Sequence, residues 1–103
     1  MDRVEVSVYN VVAQYATRGL NGSSYMMQSP DENLLGVVAQ SIQRGQRHTS
    51  VSLLVRLIGD LIVIEHDANN KPLYEALMQA GIPRERIILA YAGETNPETK
   101  HDS

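Results

Sequence analysis

Residues 49–65 read Thr49-Ser50-Val51-Ser52-Leu53-Leu54-Val55-Arg56-Leu57-Ile58-Gly59-Asp60-Leu61-Ile62-Val63-Ile64-Glu65. Val51, Leu53, Val55 and Leu57 fall on one parity, with Ser50, Ser52, Leu54, Arg56 and Ile58 on the other. That period of two, on a β-branched run, is the signature of a strand over residues 49–58. Gly59-Asp60 then separates Ile58 from a second apolar run. A two-residue turn led by glycine suits a type II′ hairpin, so residues 61–65 are expected to return as the next strand. Upstream, residues 34–42 form another Leu/Val-rich run, joined to residue 49 through the turn Gln43-Arg44-Gly45-Gln46. Three strands joined by short turns make an antiparallel meander.

Working outward, the period changes on both sides. After the meander, Asn69-Asn70-Lys71-Pro72 offers an N-cap and a proline in the first helical turn, where no N–H is needed. Leu73 and Leu77, with Ala76 and Ala80, make the apolar stripe of a short helix. Gly81-Ile82-Pro83 is its stop: a glycine for the left-handed position, an apolar residue behind it, then a residue that cannot continue a helix. Arg84-Glu85-Arg86 reads as one exposed turn and residues 87–91 as a final strand. Before the meander, Val4, Val8, Val11, Val12 and Tyr15 repeat at helical spacing, ending at Arg18-Gly19. Residues 20–24 read as a loop, and Tyr25-Met26-Met27-Gln28 as a short strand closed by the turn Ser29-Pro30-Asp31.

The order is helix, three to four strands, helix, strand. It predicts an α+β domain of two layers, with helices packed on a largely antiparallel sheet of four to five strands. One such domain fills residues 1–93, and the polar, proline-bearing stretch 94–103 is expected to be a disordered tail.

Composition narrows the function. The chain has 103 residues, no cysteine, and a formal net charge of −3 from 9 basic and 12 acidic residues. Without cysteine there is no disulfide framework, thiolate metal site or cysteine nucleophile, which fits a cytoplasmic location. Phosphate-gripping domains are usually clearly basic, so the charge counts against general nucleic-acid binding. No apolar stretch approaches the ~20 residues of a membrane span. With five tyrosines and neither Phe nor Trp, the core must be aliphatic and stacking platforms for bases are scarce.

No nucleophile–base pair, phosphate loop or serine elbow is present, so no catalytic residue, metal ligand or cofactor is assigned. The one polar cluster, Glu65-His66-Asp67, would bring Glu65 and Asp67 to one side of a strand end and His66 to the other. It lacks a third convergent ligand. Its simpler role is to shape the turn into the second helix, with Asp67 and the two asparagines. His48 beside Arg44 and Arg47 makes a basic hairpin tip that could meet an anion or nucleic acid. The feature with more weight is hydrophobicity on both faces of the sheet. Two helices cover only one face, so Leu54, Ile58, Ile62 and Ile64 are expected to form a face that binds a partner.

Several segments resemble the XisI family, small cyanobacterial proteins named as controlling factors for excision of the fdxN element. Gly59-Asp60-Leu61-Ile62-Val63-Ile64-Glu65-His66-Asp67 is similar to its strand-and-turn segment. Gly81-Ile82-Pro83-Arg84-Glu85-Arg86-Ile87-Ile88-Leu89-Ala90-Tyr91 is similar to its Gly-Ile-Pro turn and last strand. Residues 34–49 resemble its central hairpin and residues 9–16 its opening helix. The chain departs from the family in having no tryptophan and in its polar tail. The resemblance implies an α+β fold, no catalytic residues, and an accessory role in excision. Such genes commonly stand beside a nuclease-like companion, XisH. The expected partner is therefore another protein, either a second copy or an XisH-like neighbour. The alternatives are a small DNA-binding module using the hairpin arginines, Arg56 among them, and an antitoxin-like binder of a neighbouring nuclease.

Overall fold

The computed structural model describes residues 3–17 and 22–94. Helix α1 (Arg3–Ala13) is followed by strands β1 (Gly22–Gln28), β2 (Leu34–Gln43), β3 (Gln46–Ile58) and β4 (Leu61–Asp67). Helix α2 (Leu73–Gln79), a 3-10 turn over Arg84–Arg86, strand β5 (Ile87–Leu89) and a second 3-10 turn over Ala90–Ala92 complete the order. The five strands form one sheet in sequence order. Neighbours are antiparallel except β4 and β5, which are parallel because α2 carries the chain back across the sheet between them.

Both helices lie on one side of the sheet. Val8, Val11 and Val12 of α1 and Leu73 and Leu77 of α2 pack with Leu35, Val37, Leu53, Val55, Ile62, Ile64, Ile82, Ile87 and Leu89 in a core of buried aliphatic side chains. The two-layer α+β arrangement expected from periodicity is the one observed. Tyr15 packs against this core, and its hydroxyl donates to the Lys71 carbonyl at 3.0 Å, tying the end of α1 to the entry of α2. Burial, and then the negative charge of Asp67, hold that phenol above its ordinary pKa.

The helix stop reads as expected. Gly81 sits at φ 100. Its N–H donates to the Met78 carbonyl and the Ile82 N–H to the Leu77 carbonyl, each at 3.0 Å, with Ile82 buried. These two bonds are the Schellman pattern, and a side chain at that φ costs about 1 kcal/mol. The Gly59-Asp60 turn also holds: Gly59 has φ 57 and Asp60 does not share the positive sign, as a type II′ turn requires.

Five elements differ from expectation in their boundaries. Helix α1 closes at Ala13, five residues before Arg18, because its last turns tighten into i→i−3 bonds at Gln14, Tyr15 and Ala16. The expected stop at Arg18-Gly19 falls outside the described residues. β1 starts at Gly22, where a loop was expected, since Gly22, Ser23 and Ser24 pair with Ser41, Gln40 and Ala39. β3 and β4 each run longer than alternation alone marks. β5 ends at Leu89, where Glu94 accepts the Leu89 N–H at 2.8 Å and the chain turns away. Residues 95–103 of the expected tail also lie outside the described residues.

Candidate functional site

The strand registers decide which side chains reach the helix-free face. Val37 pairs with Leu53, but Val38 pairs with Val51, so Ser52 is an extra residue in β3. The bulge is pinned: Ser52 Oγ donates to the Val37 carbonyl at 3.2 Å, and the Ser52 carbonyl accepts the Ala68 N–H at 2.9 Å. Beyond it, Val51 turns to the side opposite Leu53, where it is 42% exposed. A second shift makes Glu65 the extra residue of β4, because Leu54 pairs with His66 and Val55 with Ile64.

Following partners across the ladders, the helix-free face carries Tyr25 and Met27 from β1, Leu34, Val38 and Ile42 from β2, Val51, Leu54 and Ile58 from β3, and Leu61 and Val63 from β4. Gly36 lies among them. A Cβ built there would stand 3.5 Å from Met27 Cε and 3.6 Å from Leu54 Cδ1, so these two side chains close over the glycine. Tyr25 is 46% exposed, Met27 49% and Ile42 60%. Neither helix covers this face, whose exposed part lies toward β1, β2 and the start of β3; Val63 on β4 is fully buried. Its charged pair is Arg56 with Glu65, 3.5 Å apart and partly buried between β3 and β4.

This face replaces the one expected from sequence. Leu54 and Ile58 belong to it, but Ile62 and Ile64 are 1% and 0% exposed in the core beneath the helices, out of a partner's reach. The two-residue turn holds the reason. It pairs Ile58 with Leu61, which forces Ile62 onto the side of Leu57 and Ile64 onto that of Val55. Tyr25, Met27 and Val51 were missed for different reasons. Tyr25 and Met27 sit on a strand whose alternation is short, and Val51 needed the bulge.

The other marked residues do not converge. Arg44 occupies the hairpin turn itself at φ 54, Arg47 pairs with Ile42 on the open face, and His48 pairs with Ser41 on the opposite face. The Glu65 bulge likewise separates the polar trio. Glu65 turns to Arg56, while Asp67 sits on the helix side: its Oδ2 accepts the Leu73 N–H at 2.7 Å and its Oδ1 the Asn69 N–H at 3.0 Å. Asp67 thus shapes the turn into α2, as expected, together with Asn69. Among the described residues, no three His, Asp or Glu groups are placed to hold a metal, and no helix is long and apolar enough to cross a membrane.

A notch of about 450 Å³ opens at the rim of the face, lined by Ser29, Asp31, Asn33, Leu34, Arg56, Leu57 and Ile58. The Ser29 hydroxyl, 2.5 Å from Asp31, and then the Asn33 N–H hold the Asp31 carboxyl below its ordinary pKa. These bonds close the β1–β2 turn on itself. The site is an apolar plate with one internal ion pair and a polar notch at its rim.

The family model described as XisI protein matches residues 5–101. Among solved structures, the chain is similar to a XisI-like protein from Anabaena variabilis ATCC 29413, with a TM-score of 0.71 and 17% identity, over 96% of this chain and 91% of that one. It is also similar to the fdxN element excision controlling factor XisI from the same organism, with a TM-score of 0.65 and 16% identity, over 93% of each chain. No curated protein matches it.

Proposed function

The chain belongs to the XisI family, and from that premise we propose that it is a non-enzymatic accessory protein that controls excision of a DNA element by binding another protein. The contact surface is the helix-free face of the sheet. The observation that carries this is the face itself: Tyr25, Met27, Ile42 and Val51, each 42–60% exposed, lie on one side of a sheet whose other side packs the aliphatic cluster beneath the helices. Exposed apolar surface of that extent is costly in water unless a partner covers it.

The solved relative named as a controlling factor for fdxN element excision supports the biological setting. A controlling role needs affinity and specificity, both of which a contact plate supplies without catalysis. An XisH-type companion, where its gene is adjacent, is the first heterologous partner to test. The test is complementation in a cyanobacterium lacking its own XisI-type protein, with excision scored by amplification across the rejoined junction. Wild type should restore excision. Met27→Lys with Val51→Lys, two exposed positions on the face, should abolish it while the protein remains folded. Excision that survives both lysines would remove the face from the mechanism.

A further inference from the structure

We propose that the occupant of the open face is a second copy of this chain, packed sheet against sheet about a two-fold axis. The inference rests on the reading of that face as the contact surface, and it goes further by committing to the partner and the geometry.

Area is the first reason. Tyr25, Met27, Leu34, Ile42 and Val51 are 38–60% exposed. With half-buried neighbours such as Leu54 they leave on the order of 600 Å² of apolar surface per copy, so two copies would bury roughly 1,200 Å², the lower bound for a stable complex. Two sheet faces of this kind pack about 10 Å apart with strands within ~30° of each other, their side chains interdigitating.

Charge is the second. An isologous contact sets a patch against its own copy, so the patch must carry nothing that its copy repels. The charged residues of this face are Arg56 and Glu65, which answer one another at 3.5 Å within the same chain, and Arg47, opposite Ile42 at the hairpin end. A copy can therefore be laid over the pair without an uncompensated charge. A nucleic acid would call for a cluster of positive charge here, and Arg47 alone at the hairpin end does not make one.

The third reason excludes the competing way for copies to meet. β1 is an edge strand of seven uncharged residues without proline, a form that invites strand addition. However, the Ser24 N–H, which points outward, is already given to the Thr17 carbonyl at 2.6 Å. The Ser29 N–H points inward to the Leu34 carbonyl, so by alternation the outward N–H groups left on β1 are those of Gly22, Met26 and Gln28, with the Ser24 rung taken out between them. Two consecutive rungs and one isolated beyond Ser24 make too short a ladder to hold copies together. The face is the larger surface.

Sedimentation equilibrium of the purified full chain, from about 1 to 100 µM, tests this. Wild type should be a dimer across most of that range. Met27→Lys and Val51→Lys should each raise the dimer dissociation constant at least a hundredfold with unchanged far-UV circular dichroism. Tyr9→Lys, on the exposed side of α1, should leave it unchanged. A wild-type monomer at the highest concentration overturns the proposal, and so does a dimer indifferent to both lysines. The two readings fail separately. A monomeric wild type whose excision is still abolished by the lysines removes the second copy and keeps the contact surface. A dimer dissolved by lysines that leave excision intact keeps the second copy and removes the role in excision.

Discussion

Asp67 shows how far one carboxylate can reach when a helix lacks its own cap. The sequence points to Asn69 or Asn70 as the N-cap of α2, yet the cap position is Pro72, whose side chain accepts nothing. Asp67, six residues before Leu73, supplies the acceptor and also holds Asn69 through both its backbone N–H and its amide, the latter at 2.8 Å. Asp67→Ala should therefore lower stability by about 1–3 kcal/mol, from stranded amide donors. Glu65→Ala and His66→Ala should stay within roughly 0.5 kcal/mol of wild type. Urea midpoints at constant m-value measure the contrast, and equal losses in all three would contradict it. At the other end of the βαβ segment, Glu94 accepts the Leu89 N–H, and its second oxygen meets Arg84 at 2.8 Å. The backbone bond first, and Arg84 after it, hold the Glu94 carboxyl below its ordinary 4.5. A folded-state pKa below the unfolded one gives stability that is complete above the unfolded value and lost as pH falls through the folded one. Wild type should thus be more stable than Glu94→Gln above about pH 5, with the gap closing below 4.5. Thermal melts of the pair from pH 3 to 7 check the sign, and a gap that widens in acid would refute it.

At the scale of elements, the hairpin of β2 and β3 stores a small strain at its tip. Arg44 at φ 54 and Gly45 at φ 78 are both positive, the pattern of a type I′ turn, which favours Asn-Gly or Gly-Gly. An arginine pays for that position by about 1 kcal/mol. Arg44→Gly should recover several tenths of that, less the added freedom of the unfolded chain, and a lower melting temperature would contradict the turn assignment. The same hairpin shows what was legible in the sequence. Strong alternation, the Gly59-Asp60 turn and the Gly81-Ile82-Pro83 stop placed the meander, α2 and the final strand. The two-layer α+β class followed from them. Single extra residues were not legible. Ser52 looks like any polar partner in an alternating run, yet as a bulge it sends Val51 to the open face, and Glu65 does the same to the polar trio. Alternation reports parity within a strand, whereas a bulge resets that parity, and only pairing to the neighbouring strand reveals it. The assignment of Ile62 and Ile64 to the open face failed without any bulge, because a two-residue turn had already fixed their register.

For the whole molecule the question is which surface meets a partner, and DNA makes the sharpest rival. A DNA-binding reading places weight on the hairpin tip, where Arg44 and Arg47 are exposed. Three observations oppose it. The chain carries a net charge of −3. Arg47 faces the open side while His48 faces the other, so the tip gathers no one-sided basic stripe. Arg56, the remaining arginine of that hairpin, lies beside Glu65. Phosphate contacts carry a measurable signature: each one neutralised steepens the fall of log K with log salt by about 0.9 for duplex DNA. If Arg44 and Arg47 gripped phosphates, Arg44→Gly with Arg47→Ala would weaken binding and flatten that slope by nearly 2. The expected result is different. Labelled duplex DNA should show only non-specific affinity, with a dissociation constant of roughly 1–100 µM at physiological salt, and the double variant should leave excision at the wild-type level. Met27→Lys, which leaves the tip untouched, should remove excision. Fluorescence anisotropy from 50 to 200 mM salt, run beside the complementation assay on the same variants, separates the two surfaces. Nanomolar DNA binding that collapses with salt and with the two arginines would move the function from the face of the sheet to the tip of its hairpin.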